Sequence, residues 1–132
     1  MHGLHLTADL YDCHCAPQLL RSEAAVAQLC RAHTEAAGLT VVGEKWFSFP
    51  SPDEQPGGVT GTLLLAESHL AVHTWPELGN VTLDVYVCNF SANNTARAEQ
   101  LMQALIDGFV PQRQRTHRLV RGDLDAAPAG TR

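Results

Sequence analysis

The stretch VTGTLLLAESHLAVHTWPELGNVTLDVYVC, Val59 to Cys88, contains several extended runs separated by short breaks. Val59 to Ala66 and His69 to Trp75 are two of them, with Glu67-Ser68 wedged between, and Pro76 ends the second. From Asn80 to Cys88, Val81, Leu83, Val85 and Val87 alternate with Thr82, Asp84, Tyr86 and Cys88. That period-two pattern is a strand with one buried face, and it puts Cys88 on the more polar side. Strands this close in sequence leave room only for tight turns, which join antiparallel neighbours.

Upstream, Leu4, Leu6, Ala8 and Leu10 alternate with His5, Thr7, Asp9 and Tyr11, which predicts a first strand over Leu4 to Tyr11. Ser22 to Ala37 carries Val26, Leu29, Cys30 and His33 at helical spacing and closes at Gly38, a helix with a left-handed cap. Leu39 to Phe49 reads as a strand, and Pro50, Pro52, Pro56, Gly57 and Gly58 punctuate the loop after it. Downstream, a second helix is expected from an N-cap at Asn94 through Leu101, Met102, Leu105 and Phe109 to a stop at Pro111. Thr116 to Val120 reads as a short edge strand, and Asp123 to Arg132 as a disordered tail.

Two helices among five or six strands predict an α+β fold, a two-layer sandwich whose antiparallel sheet carries helices on one face. The sheet's other face then invites a partner, and a sheet-to-sheet homodimer follows from that architecture. Periodicity alone does not assign Leu63, Leu65, Val81 and Leu83 to one particular face.

At 132 residues and 14.3 kDa the chain is one domain's worth, expected over residues 1–122. Hydrophobic residues make up 45% and charged residues 17%, enough apolar material for a packed core. A net charge of -5 provides no footprint for nucleic acid or an anionic membrane and favours cationic or zwitterionic small ligands. The start Met1-His2-Gly3-Leu4-His5 lacks the basic and apolar regions of a secretory signal, and no apolar run reaches membrane-spanning length. A cytoplasmic protein with Cys13, Cys15, Cys30 and Cys88 as free thiols is expected.

The densest chemistry lies in Glu67-Ser68-His69 through His73-Thr74-Trp75-Pro76-Glu77. A zinc-protease helix needs glutamate after its first histidine, and Leu70 stands there. A lipase elbow needs glycines flanking its serine by two, where Ala66 and Leu70 stand. Cys13-His14-Cys15 offers soft ligands too crowded for tetrahedral geometry without a second pair, so no metal is expected. An ordinary polar turn is one reading of Glu67-Ser68. The other is that the Ser68 hydroxyl attacks the Glu67 carbonyl in a strained turn, converting amide to ester. Elimination across the Ser68 side chain then cuts the chain and leaves a pyruvoyl group. Such a ketone can form a Schiff base with an amine and accept electrons from a departing carboxylate.

Gly58-Val59-Thr60-Gly61, Glu67-Ser68-His69, His73-Thr74-Trp75-Pro76-Glu77, Asp84 and Cys88 together resemble the short prokaryotic S-adenosylmethionine decarboxylases, self-processing pyruvoyl enzymes, over about residues 3–122. The resemblance implies that Ser68 is the pyruvoyl precursor and that His73 removes its α-proton. Thr60 stands where a serine usually assists processing. Cys88 matches the proton donor to the product carbon, Glu77 the acid on the ribose hydroxyls and Phe49 an aromatic on adenine, with Trp75 beside them. It also implies a homodimer of four layers, with both chains in each site.

Ser68 and His73 are five residues apart, so in a regular strand they face opposite ways. Either a bulge intervenes or His73 serves the other protomer's Ser68. Phe47 stands where the family often has histidine, the loop Pro50 to Gly57 is longer than in compact members, and Asn89 follows Cys88 where glycine is common. Asn80-Val81 replaces a frequent aromatic-alanine pair. A pyruvoyl decarboxylase of ornithine or arginine is the nearest alternative, and a non-catalytic small-molecule-binding module the more distant one.

Overall fold

The structure is a computed structural model that describes residues 2–89 and 92–122. The tail expected at 123–132 lies outside the described residues. In chain order the elements are β1 (Gly3–Cys13), α1 (Gln18–Arg21), α2 (Glu23–Ala36), β2 (Val41–Ser48), β3 (Val59–Leu65) and β4 (Ser68–Trp75), then β5 (Asn80–Cys88), α3 (Thr95–Phe109) and β6 (Pro111–Arg121). The strands form one six-stranded sheet in the order β2-β3-β4-β5-β1-β6, antiparallel at every pair.

Alternation decides what each face carries. Leu4, Leu6, Ala8 and Leu10 of β1, Leu63 and Leu65 of β3, Leu70 and Val72 of β4, and Val81, Leu83, Val85 and Val87 of β5 are buried in one cluster. Val26 and Cys30 of α2 and Leu101, Leu105 and Phe109 of α3 belong to the same cluster. Leu63, Leu65, Val81 and Leu83 therefore all face the helices. Each such aliphatic side chain contributes roughly 1.5–3 kcal/mol on leaving water. The opposite face carries the residues between them, among them His5, Thr60, His69, His73, Asp84 and Tyr86, all only partly buried. The observed architecture is the expected two-layer α+β sandwich.

The differences are local. α1 is a single turn entered through Pro17, too short for a helical period to show in sequence. α2 begins at Glu23 because Ser22 is its N-cap, its Oγ accepting the Ala25 N–H at 3.2 Å. Asn94 occupies the N-cap position of α3, but its side chain does not cap. Its Nδ2 instead donates to the Cys88 carbonyl at 3.0 Å, and Asn93 Oδ1 takes the Thr95 N–H at 3.0 Å. The largest correction is β6. It runs from Pro111, directly after left-handed Val110, to Arg121, rather than Thr116 to Val120. Its residues are almost all exposed, so no apolar alternation marks it. Pairing with β1 from Cys13↔Pro111 to Gly3↔Arg121 makes it a strand, and a proline is tolerated at its first, edge position.

Two glycines mark close approaches. A Cβ on Gly61 would sit inside the Trp46 ring, and one on Gly58 would strike the Thr74 carbonyl oxygen. Trp46 also donates from Nε1 to Glu44 at 2.9 Å, and Arg31 of α2 grips the same carboxylate at 2.9 Å, so β2 is tied to the helix layer around this ring. Gly61→Ala should therefore lower stability by about 1–3 kcal/mol through overpacking. Urea denaturation of Gly61→Ala beside Gly61→Ala/Trp46→Leu checks this. The second substitution should recover part of the loss, and an unchanged midpoint for the single variant would show that the ring yields freely.

Candidate active site

β3 and β4 close a hairpin through the Leu65↔Ser68 pair, leaving Ala66-Glu67 as the turn. Glu67 has φ 61, a left-handed backbone that costs a residue with a Cβ about 1–2 kcal/mol. Glycine or asparagine ordinarily takes such a place. The peptide bond between Glu67 and Ser68 thus leaves a strained residue and enters the first residue of β4. Ser68 is half-buried and its Oγ accepts the Cys88 N–H at 3.3 Å. Cys88 is buried at 6% exposure. Its carbonyl accepts from Asn94, while the Asn89 N–H donates to the His2 carbonyl at 2.7 Å and Asn89 Oδ1 accepts the Asn94 N–H at 2.7 Å. The main chain around the thiol is held on both sides.

The second group of expected site residues lies at the other end of β4. His73 pairs with Thr60 across the ladder, and Thr60 Oγ1 is 3.1 Å from His73 Nδ1. Both line an open cleft of about 830 Å³ together with Phe49, Trp75 and Glu77. Phe49 and Trp75 are 49% and 39% exposed, so their ring faces are available to a flat ligand. Phe47 stands edge-on to Phe49 with ring centroids 4.9 Å apart.

β4 pairs with β3 in unbroken register from Ser68 to His73. No bulge intervenes, so the two side chains lie on opposite faces and roughly 16 Å apart along the strand. One chain brings the Ser68 hydroxyl, directly after Glu67, to the Cys88 main chain. Separately, it brings Thr60 and His73 together with Phe49, Trp75 and Glu77.

A profile described as S-adenosylmethionine decarboxylase matches residues 4–122. The chain belongs to the S-adenosylmethionine decarboxylase family. Among its relatives, the S-adenosylmethionine decarboxylase proenzyme of Archaeoglobus fulgidus is 35% identical over 91% of this chain and 97% of its own. That of Aquifex aeolicus is 38% identical over 84% and 74%. The crystal structure of the adenosylmethionine decarboxylase from Aquifex aeolicus superimposes with a TM-score of 0.79 at 29% identity, covering 96% of this chain and 95% of that one.

In this member of the decarboxylase family the cysteines are free thiols. Burial pushes the Cys13 thiol up to about 11 and the Cys30 thiol up to about 12, so both stay protonated at neutral pH and neither is a ready nucleophile. Among the described residues, no helix is long and apolar enough to cross a membrane. Sequence reasoning did not single out His5, which meets His69 and Asp84 on the helix-free face. His5 Nε2 and His69 Nε2 lie 3.6 and 3.4 Å from Asp84 Oδ1. The Arg121 guanidinium stands 3.2 Å from His5 Nδ1 and can only donate.

The strain at Glu67 is measurable. In a Ser68→Ala background, Glu67→Gly should raise stability by about 1 kcal/mol, since glycine adopts a positive φ without steric penalty. Equal or lower stability in urea unfolding would show that the turn stores no such strain.

Proposed function

We propose that this chain is a self-processing S-adenosylmethionine decarboxylase in which two copies build each active site. It releases carbon dioxide and makes the aminopropyl donor of polyamine synthesis. Residues 1–122 act as one catalytic domain in the cytoplasm. The observation that carries the reading is the placement of Ser68 directly after a left-handed glutamate, in a chain whose relatives are named proenzymes.

Ser68 Oγ attacks the Glu67 carbonyl carbon, and the amide becomes an ester as the Ser68 nitrogen takes up a proton. Removal of the Ser68 Cα proton expels the Glu67 carboxylate and cuts the chain between residues 67 and 68. Water then replaces the nitrogen, which leaves as ammonia, and the new N-terminus is a pyruvoyl ketone. Bound there, that group supplies an electrophilic carbon for the substrate amine and an electron sink for decarboxylation.

His73 is the base for the Cα proton. Its Nδ1 proton donates to Thr60 Oγ1, leaving Nε2 free, so threonine serves where the family usually has serine. Because His73 and Ser68 of one chain lie roughly 16 Å apart along β4, His73 acts on the Ser68 of a second chain in a homodimer stacked sheet to sheet, four layers in all. Phe49 and Trp75 hold the adenine ring and Glu77 the ribose hydroxyls. Cys88, whose main chain is bonded to the Ser68 hydroxyl and to Asn94, donates the proton that completes the product. Aromatic walls and an acid suit a nucleoside better than the short aliphatic chain of ornithine or arginine, and the relatives' names favour the same substrate.

Denaturing mass spectrometry should resolve the 14.3 kDa chain into two fragments divided after Glu67, the second lacking a free amine. Ser68→Ala should stay in one piece and inactive. A wild-type chain that remains intact after prolonged incubation would overturn the reading. Cys88→Ala should still cut itself but lose about 100-fold or more in turnover, the usual contribution of a positioned acid. Full turnover per cleaved site would leave Cys88 as a packing thiol.

A further inference from the structure

One wall of the cleft is the β2–β3 connection, residues 50–57, which includes Asp53. Its base is closed by backbone bonds, Phe49 N–H to the Gly58 carbonyl at 2.8 Å and Gly57 N–H to the Phe49 carbonyl at 3.0 Å. Its tip is shaped from within, since Asp53 Oδ1 accepts from Ser51 Oγ at 2.8 Å and from the Gln55 N–H at 3.0 Å. A tie to a different element comes from Arg21, the last residue of α1, whose Nη1 donates to the Pro56 carbonyl.

Arg21 is itself held in place from beneath the cleft. The Thr74 side chain is buried at 5% exposure. Its hydroxyl donates to the Leu20 carbonyl at 2.7 Å and accepts the Val59 N–H at 2.8 Å. One hydroxyl thus joins β3, β4 and α1, and it sets the position of the residue before Arg21. Arg21 also lines the cleft. Hydrogen bonds from Ser51 and Gln55, with the nearby Arg21 charge adding to them, hold the Asp53 carboxyl below its ordinary range.

We propose that Arg21 is a positioning residue for substrate binding, whose grip on Pro56 holds residues 50–57 in place as a wall of the nucleoside cleft. This rests on the decarboxylase reading of the same cleft. Arg21 touches no reacting atom, so its loss acts on binding rather than on the chemical step. A lysine can still reach a carbonyl with one donor and should preserve much of the effect.

The test uses the full-length processed protein as wild type, Arg21→Met and Arg21→Lys. KM and kcat for S-adenosylmethionine are measured on each, together with the rate at which a glutamyl endoprotease cuts the native protein after Glu54, followed by mass. Arg21→Met should cut itself normally between Glu67 and Ser68, which reports a folded chain. It should be nicked after Glu54 several-fold faster and should raise KM about tenfold with kcat within twofold, and Arg21→Lys should lie near wild type. An unchanged nicking rate would show that Arg21 does not hold the loop. Faster nicking with unchanged KM would show that the loop is no wall of the substrate site. Either result overturns the proposal, as does a fall in kcat at constant KM. A wild type that processes itself but does not decarboxylate S-adenosylmethionine would instead overturn the underlying reading.

Discussion

The pairing of β3 with β4 is the constraint on which the rest of the site depends. A regular ladder from Leu65↔Ser68 to Thr60↔His73 fixes at once where the left-handed Glu67 lies and which way every polar side chain of β4 points. It leaves the turn to Ala66-Glu67, forcing the left-handed backbone onto a glutamate. By parity it also sends His73 to the helix-free face beside Thr60, while the Ser68 hydroxyl meets the Cys88 main-chain N–H near the opposite end. A bulge of one residue anywhere between would reverse this arrangement. Within one chain this geometry keeps Ser68 and His73 apart, and the proposal that two copies build each site rests on that separation.

The cleft half of the site is built by close approaches rather than by charged contacts. Gly58 lets the start of β3 lie against the Thr74 carbonyl, and Gly61 lets the Trp46 ring cross the sheet. The Thr74 hydroxyl then satisfies the Val59 N–H and the Leu20 carbonyl together, two groups that would each cost about 1–3 kcal/mol if left buried without a partner. The consequence reaches outward through α1 to the Arg21 guanidinium and from there to Pro56. The glycines and the threonine of the motif are thus explained by packing, and the aromatics and acid around the cleft by what remains exposed once that packing is made.

Sequence alone carried the elements whose burial is one-sided. β1 and β5 alternate cleanly because a helix layer covers only one face, and α2 carries its apolar residues at helical spacing. It failed where tertiary pairing overrides local pattern. β6 is polar along nearly its whole length and is a strand because β1 offers it an open edge. The α3 N-cap position was read correctly, but the Asn94 side chain is drawn off to the Cys88 carbonyl. For the site, the odd spacing of Ser68 and His73 already posed the choice between a bulge and a second chain, and the regular register removes the bulge. The roles of Thr74 and Arg21 were not legible, since Thr74 meets Leu20 and Arg21 meets Pro56 across long sequence separations that no local period records. The His5, His69 and Asp84 cluster likewise exists only through the β1–β5 and β4–β5 registers.

The central claim is that the base and the nucleophile of self-cleavage come from different chains. It is tested most directly by co-expressing differently tagged His73→Ala and Ser68→Ala chains and isolating the mixed dimers by both tags. Each variant alone should remain uncut. In the mixed dimer, cleavage should appear at Glu67-Ser68 of the His73→Ala chain alone, because it keeps the serine and receives its partner's histidine. Verified mixed dimers that remain intact, while wild-type dimers cut themselves under the same conditions, would contradict the account.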